Sequence, residues 1–175
     1  MAQTKHFSLG IYFHTLTKML GQPRRFFSEL PRDAGLKQPL GFLLVSSLFF
    51  AGASLMSNLT PNPLVMGGVF FINAMGMTFI AASIGFMVMI AIMGRRVTFA
   101  RFFSIYALSA GVTLLASWLP FFIWLTEPWK WWLIGTGMVK GFGFGRVQVL
   151  VIIGVSVGLM FFFFWWVLPM TASLR

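Results

Sequence analysis

The chain has 175 residues, 58% of them hydrophobic and only 9% charged, with a formal net charge of +10. A soluble domain carries roughly 25% charged residues, so lipid must be the solvent for most of this chain. This excludes a nucleic-acid partner, which needs a polar domain to carry its basic patch, and the absence of cysteine excludes disulfides, thiol chemistry and Cys-ligated metal or iron–sulfur centres.

Residues 1–38 read as a cytoplasmic arm. Leu9, Tyr12, Phe13, Leu16, Met19 and Leu20 recur at helical spacing on one face, with Gly10, His14, Thr17 and Lys18 on the other. That pattern predicts a short amphipathic helix lying in the membrane interface. Gly21 and Pro23 end it, and Arg24-Arg25 then meet Phe26-Phe27, a pairing suited to headgroups. The arm serves either as an anchor or as a partner-binding helix. No cleavable leader is apparent, because the first long apolar run starts near Pro39, so the first span is expected to direct insertion.

Residues 39–175 read as a five-span bundle. A crossing needs roughly 20 apolar residues. The first span runs from about Pro39 to Ser57 and ends in the breaker-rich loop Asn58 to Pro63. Asn58-Leu59-Thr60 also matches a glycosylation sequon, a chance match so close to the membrane. The second, about Leu64 to Met93, is longer than the core requires and has Gly67, Gly68, Gly76 and Gly85 as places to bend or to admit a neighbour. The third runs from about Phe102 to Leu125 and contains Pro120. The fourth, about Pro128 to Phe144, is short and carries Lys130 and Lys140, so it needs local thinning or snorkelling to cross. The fifth is about Val147 to Leu168.

The basic residues argue for five crossings. Lys5, Lys18, Arg24, Arg25, Arg32 and Lys37 precede the first run; Arg95, Arg96 and Arg101 separate the second from the third; Lys140 and Arg146 precede the last. With five crossings and the N-terminus inside, all three clusters are cytoplasmic, which is the orientation that short basic loops favour. Trp118, Trp124, Trp129, Trp131, Trp132, Trp165 and Trp166 then form one belt at the outer interface. The expected fold is an all-α, polytopic membrane bundle, N-in and C-out.

Little of the sequence suits chemistry. Glu29, Asp33 and Glu127 lie in the arm or an outer loop, and no Asp, Glu, Lys, Arg or His falls inside the confident spans. That argues against proton-coupled carriers and pumps, and against a hydrolase or any other enzyme. His6 and His14 are eight apart with no carboxylate in phase, so they are expected to be interfacial, and no metal or cofactor is expected. Gly141-Phe142-Gly143-Phe144-Gly145 lacks the strand and the Lys-Ser/Thr of a phosphate loop and is expected to be a tight turn. Small residues four apart, among them Gly137 with Gly141 and Gly154 with Gly158, are expected to pack helices within the bundle or between copies. Asn73 is expected to hydrogen-bond across helices, and Gln148 to sit at the interface. Arg24, Arg25, Arg95, Arg96, Arg101, Lys140 and Arg146 are the expected contacts to lipid headgroups or a partner.

Several stretches together resemble the Yip family of membrane proteins, named for interaction with Ypt/Rab GTPases. They are Pro23-Arg24-Arg25-Phe26-Phe27 with Gln38-Pro39-Leu40-Gly41-Phe42, then Gly94-Arg95-Arg96-Val97-Thr98-Phe99 leading to Tyr106-Ala107, then Trp129 through Gly145 to Arg146. The resemblance implies a five-span bundle with a cytoplasmic N-terminus and no catalysis, acting in membrane traffic or shaping. The long soluble N-terminal region of the eukaryotic relatives is absent, so the chain is similar to compact bacterial members of a cytoplasmic (inner) membrane. Three roles follow as expectations. The first is a protein that organises membrane or partner proteins, alone or as a homo-oligomer. The second is an accessory subunit of a larger membrane complex. The third is a channel or carrier for a neutral or lipidic solute, built around Asn73 and the glycines of the second span.

Overall fold

The computed structural model describes residues 8–31, 35–57, 61–94 and 96–172, with only the backbone described for 120, 164 and 166–172. Arg95, His6, the Asn58–Thr60 sequon and the Trp166 side chain lie outside the described set. Among the described residues the chain is helical throughout, with no strand. Its helices are α1 (Leu9–Gly21), α2 (Pro23–Ser28), α3 (Lys37–Ser57), α4 (Pro63–Met93), α5 (Phe99–Ser117), α6 (Ile123–Phe142) and α7 (Arg146–Ala172). Four of them, α3, α4, α5 and α7, are long and apolar enough to cross a membrane.

Local chemistry sets the boundaries. Ser8 caps α1 by accepting from the Ile11 N–H at 3.4 Å. Pro63 opens α4 and Gly94, at φ 71°, closes it. The third span is shorter than its apolar run. Helix α5 stops at Ser117, and Pro120 opens a 3-10 turn, Pro120–Phe122, that feeds directly into α6. The residues expected at the end of span three, through Leu125, therefore belong to α6. That helix starts five residues before the expected Pro128 and carries Pro128 in its second turn. At 1.5 Å per residue its 20 residues span about 30 Å.

Helix α6 ends on Gly143 in the left-handed region (φ 74°), with the Phe144 N–H bonded back to the Met138 carbonyl at 3.4 Å. The Gly143 N–H bonds to the same carbonyl, so a left-handed glycine closes the helix end. Gln148 then accepts from the Gly145 N–H at 3.0 Å, one arm of a capping box that starts α7. The glycine segment is therefore a tight inter-helix turn, and Gln148 is a capping residue as well as an exposed one.

Helix α5 is the axis of the bundle. Every residue from Phe102 to Thr113 is buried, and the helix packs against α3, α4 and α6. Three glycines let neighbours come close. A Cβ on Gly111 of α5 would lie 2.7 Å from the Phe42 ring of α3, and one on Gly137 of α6 would lie 2.6 Å from the Ile105 side chain. A Cβ on Gly85 of α4 would collide with the Tyr106 hydroxyl. In lipid, close packing of this kind replaces the hydrophobic drive between helices.

Helix α1 divides its apolar face. Tyr12 and Met19 are buried, whereas Leu9 (65% exposed) and Phe13 (59%) face outward. Tyr12 stacks on Phe42 with centroids 4.7 Å apart and shares a hydrogen bond with Ser46 at 3.0 Å. The arm is thus docked on the bundle along half of the face expected to lie on lipid.

Candidate functional site

The basic residues nominated from sequence fall into distinct structural situations. Arg25 Nε donates to Glu29 at 2.7 Å within the arm, with Lys18 Nζ 3.9 Å from the same carboxylate. The Arg25 hydrogen bond, aided by nearby positive charge, holds the Glu29 carboxyl below its usual range, and the same bond raises Arg25. Arg96 Nε donates to the Met93 carbonyl at 3.2 Å, capping the end of α4. Arg101 Nη2 donates to the Gly141 carbonyl at 2.7 Å, and its guanidinium sits 5.2 Å over the Phe142 ring. It therefore pins the start of α5 to the end of α6, where the helix dipole favours a cation.

Arg24, Lys140 and Arg146 differ from these. All three are exposed, none makes an ion pair among the described residues, and all three line one groove. The groove has a volume of about 540 Å³, and its walls are apolar, formed by Trp132, Val139 and Leu150 among others from α6 and α7. Arg24 reaches it because α2 packs on α6. That approach is close at Gly141, where a Cβ would lie 3.4 Å from the Phe27 carbonyl. Phe27 itself is fully buried and anchors α2.

A second, more polar hollow of about 530 Å³ adjoins the glycine turn and is lined by Arg96, Arg101 and Lys140. Lys140 belongs to both spaces. The end of the bundle that carries the glycine turn therefore has a continuous basic rim.

A family model described as the Yip1 domain matches residues 17–168. The chain belongs to the Yip1 domain family. Comparison with curated proteins and with solved structures finds no match. The matched span takes in all of the Yip1 bundle just described except the first part of α1 and the end of α7.

Other nominated residues of this Yip1 domain are placed as follows. Gly137 and Gly141 sit at close helix contacts. Gly154 and Gly158 meet no atom within 4 Å, so among the described residues they close no helix pair. Asn73 is exposed, lines a cavity, and makes no hydrogen bond among the described residues, so it does not tie helices together. In the sequence Tyr106 and Phe42 enter only as parts of the family resemblance, not as packing residues. Both are buried aromatics in glycine notches, and neither stands out in so apolar a chain.

Proposed function

We propose that this Yip1 domain protein is a non-enzymatic, five-span membrane protein that organises membrane or partner proteins through its inner basic rim. One observation carries the reading: Arg24, Lys140 and Arg146, unpaired among the described residues, line one groove whose walls are apolar. Cations above an apolar slot match an anionic phospholipid, headgroup on the charges and acyl chain along the slot. Each such cation near the surface contributes about 1 kcal/mol of attraction.

The fifth crossing is supported by the way α6 pairs with α5. At one end Arg101 meets the Gly141 carbonyl at 2.7 Å, and at the other Ser117 Oγ meets Thr126 Oγ1 at 3.1 Å. The two helices run antiparallel and are coextensive, which supports a crossing by α6 alongside α5. The basic rim is then cytoplasmic under the positive-inside rule. The chain lacks cysteine, so single Cys reporters read topology cleanly. Gly143→Cys is expected to label from the same side as Ser8→Cys, and Phe121→Cys from the opposite side. Labelling of Gly143→Cys and Phe121→Cys from one side would remove the fifth span.

The function is tested by extracting the protein into lipid-preserving polymer discs and identifying the co-purifying lipids and proteins by mass spectrometry. The wild type is expected to carry a shell enriched in anionic lipid, with or without a protein partner. The Arg24→Gln/Lys140→Gln/Arg146→Gln variant is expected to lose that enrichment while remaining folded. A shell identical in both would overturn the assignment of the rim.

A further inference from the structure

The basic rim has two compartments that differ in chemistry. The groove beside Arg24 and Arg146 has apolar walls, whereas the hollow of about 530 Å³ at the glycine turn is lined mainly by polar groups. Two helices end at this hollow, α4 and α6, and two begin there, α5 and α7. A helix that ends presents the negative side of its dipole. Here an arginine covers each such end. Arg96 Nε donates to the Met93 carbonyl of α4 at 3.2 Å, and Arg101 Nη2 donates to the Gly141 carbonyl of α6 at 2.7 Å. The helices that begin, at Phe99 and Arg146, add their positive ends.

No acidic residue lines the hollow. Of the three acidic residues in the chain, Glu29 is held by Arg25 and Lys18, and Glu127 by Lys130. The Nη nitrogens of Arg96 and the Nζ of Lys140 have no partner among the described residues, so the hollow offers both positive charge and hydrogen-bond donors. Lys140 lines both compartments. The cations therefore stand in two groups around it, Arg24 and Arg146 with the groove, Arg96 and Arg101 with the hollow. A lipid with one phosphate occupies the groove and leaves the hollow to water. A diphosphate, whose two phosphorus atoms share an oxygen, puts both charges in one compartment. Two phosphates joined by a short polar bridge put one in each. Apolar exits for acyl chains adjoin both compartments. Val139 and Leu150 wall the groove, while Met93 borders the hollow, with Ile90 exposed three residues back on α4.

We infer that the rim selects cardiolipin, a lipid in which glycerol bridges two phosphatidyl groups, with one phosphate on Arg24 and Arg146, the other on Arg96 and Arg101, and Lys140 between them. This rests on the reading of the rim as an anionic-lipid site and adds the headgroup class. Basic pockets between membrane helices are a recurrent setting for this headgroup.

The test is native mass spectrometry of the full chain titrated with cardiolipin, phosphatidylglycerol and phosphatidylcholine of matched acyl chains. The wild type is expected to bind one cardiolipin about 10-fold more tightly than one phosphatidylglycerol, the effect of one or two added cation contacts. Arg96→Gln is expected to bring cardiolipin close to phosphatidylglycerol and to leave phosphatidylglycerol binding unchanged. Arg96→Lys keeps the charge without the bond to Met93, and is expected to keep the preference. If Arg96→Gln fails to fold, the exposed Lys140→Gln decides, with a larger loss expected for cardiolipin than for phosphatidylglycerol. Cardiolipin bound no more tightly than phosphatidylglycerol, with phosphatidylglycerol still ahead of phosphatidylcholine, would overturn this proposal and leave the rim reading standing. So would a cardiolipin preference that survives Arg96→Gln, or one lost equally in Arg96→Lys, which would trace it to the end of α4 rather than to charge. Equal binding of phosphatidylglycerol and phosphatidylcholine by the wild type would remove the rim reading and this proposal with it.

Discussion

Helices α5 and α7 are both apolar enough to cross a bilayer, yet they stand at opposite extremes of the bundle. Two thirds of the apolar span of α5 is buried inside the bundle (67%), against 17% of α7 over Arg146–Phe163. Both carry small residues four apart: Ala107 with Gly111 in α5, Gly154 with Gly158 in α7. In α5 the notch is filled, because Phe42 lies against Gly111. In α7 the notches are open. Spacing alone therefore marks where a helix can be approached closely. Whether it is approached depends on a large side chain on a neighbouring helix at the same depth.

The largest effect should come from closing a filled notch. Gly137→Leu drives a branched side chain into Ile105, whose nearest atom would lie 2.6 Å from the new Cβ. Overpacking of this kind costs about 3 kcal/mol, read as early unfolding in an SDS titration. An unchanged midpoint would show that α5 is not held as tightly as its burial indicates.

Next is the polar clamp at the end of α5. Arg101→Met removes the charged bond to Gly141 and the contact over Phe142. A loss of about 1.5–3 kcal/mol is expected in the same titration. Arg25→Met, which breaks only an exposed pair, is expected to leave the midpoint unmoved. Equal losses would mean that the two arginines had been sorted wrongly.

A smaller effect is expected from Gly154→Ala combined with Gly158→Ala. Open space around both positions predicts an unchanged or slightly raised midpoint, since Ala is the better helix former. A fall in stability that depends on protein concentration would place another copy against α7 and convert the comparison from buried versus free to intrachain versus interchain.

The smallest effect concerns the arm. Glu29 has its carboxyl pKa lowered by Arg25. Its contribution is therefore present above the usual carboxylate range and fades as pH falls through the lowered value. A fluorophore on α2 should report slight loosening of the arm on acidification, abolished by Glu29→Gln. The bundle, clamped by neutral contacts and by Arg101, should not respond. Loosening of α5 over the same range would contradict the division between arm and core.

Much of this was legible in the sequence. The membrane setting, the helical class and the positions of α3, α4 and α7 follow from apolar runs and breakers. The junction of α5 and α6 was misplaced, because Pro120 interrupts an apolar run that composition alone cannot divide. The basic residues were found as a set, but their roles were not. Arg101 and Arg25 look alike in sequence, and only the fold shows that one meets a helix end and the other a carboxylate in its own arm. Asn73 reads as a cross-helix bond because polar residues in spans usually find partners, but its side chain is exposed on α4, beside a cavity, and makes no hydrogen bond among the described residues.

The most direct test of the account is native mass spectrometry of the purified protein titrated with phosphatidylglycerol and with phosphatidylcholine of matched acyl chains. The wild type is predicted to bind the anionic lipid several-fold more tightly, and Arg24→Gln/Lys140→Gln/Arg146→Gln to bind both equally with an unaltered SDS midpoint. Equal binding by the wild type, or an anionic preference that survives in the variant, would contradict the claim that this rim is where the protein meets the membrane it organises.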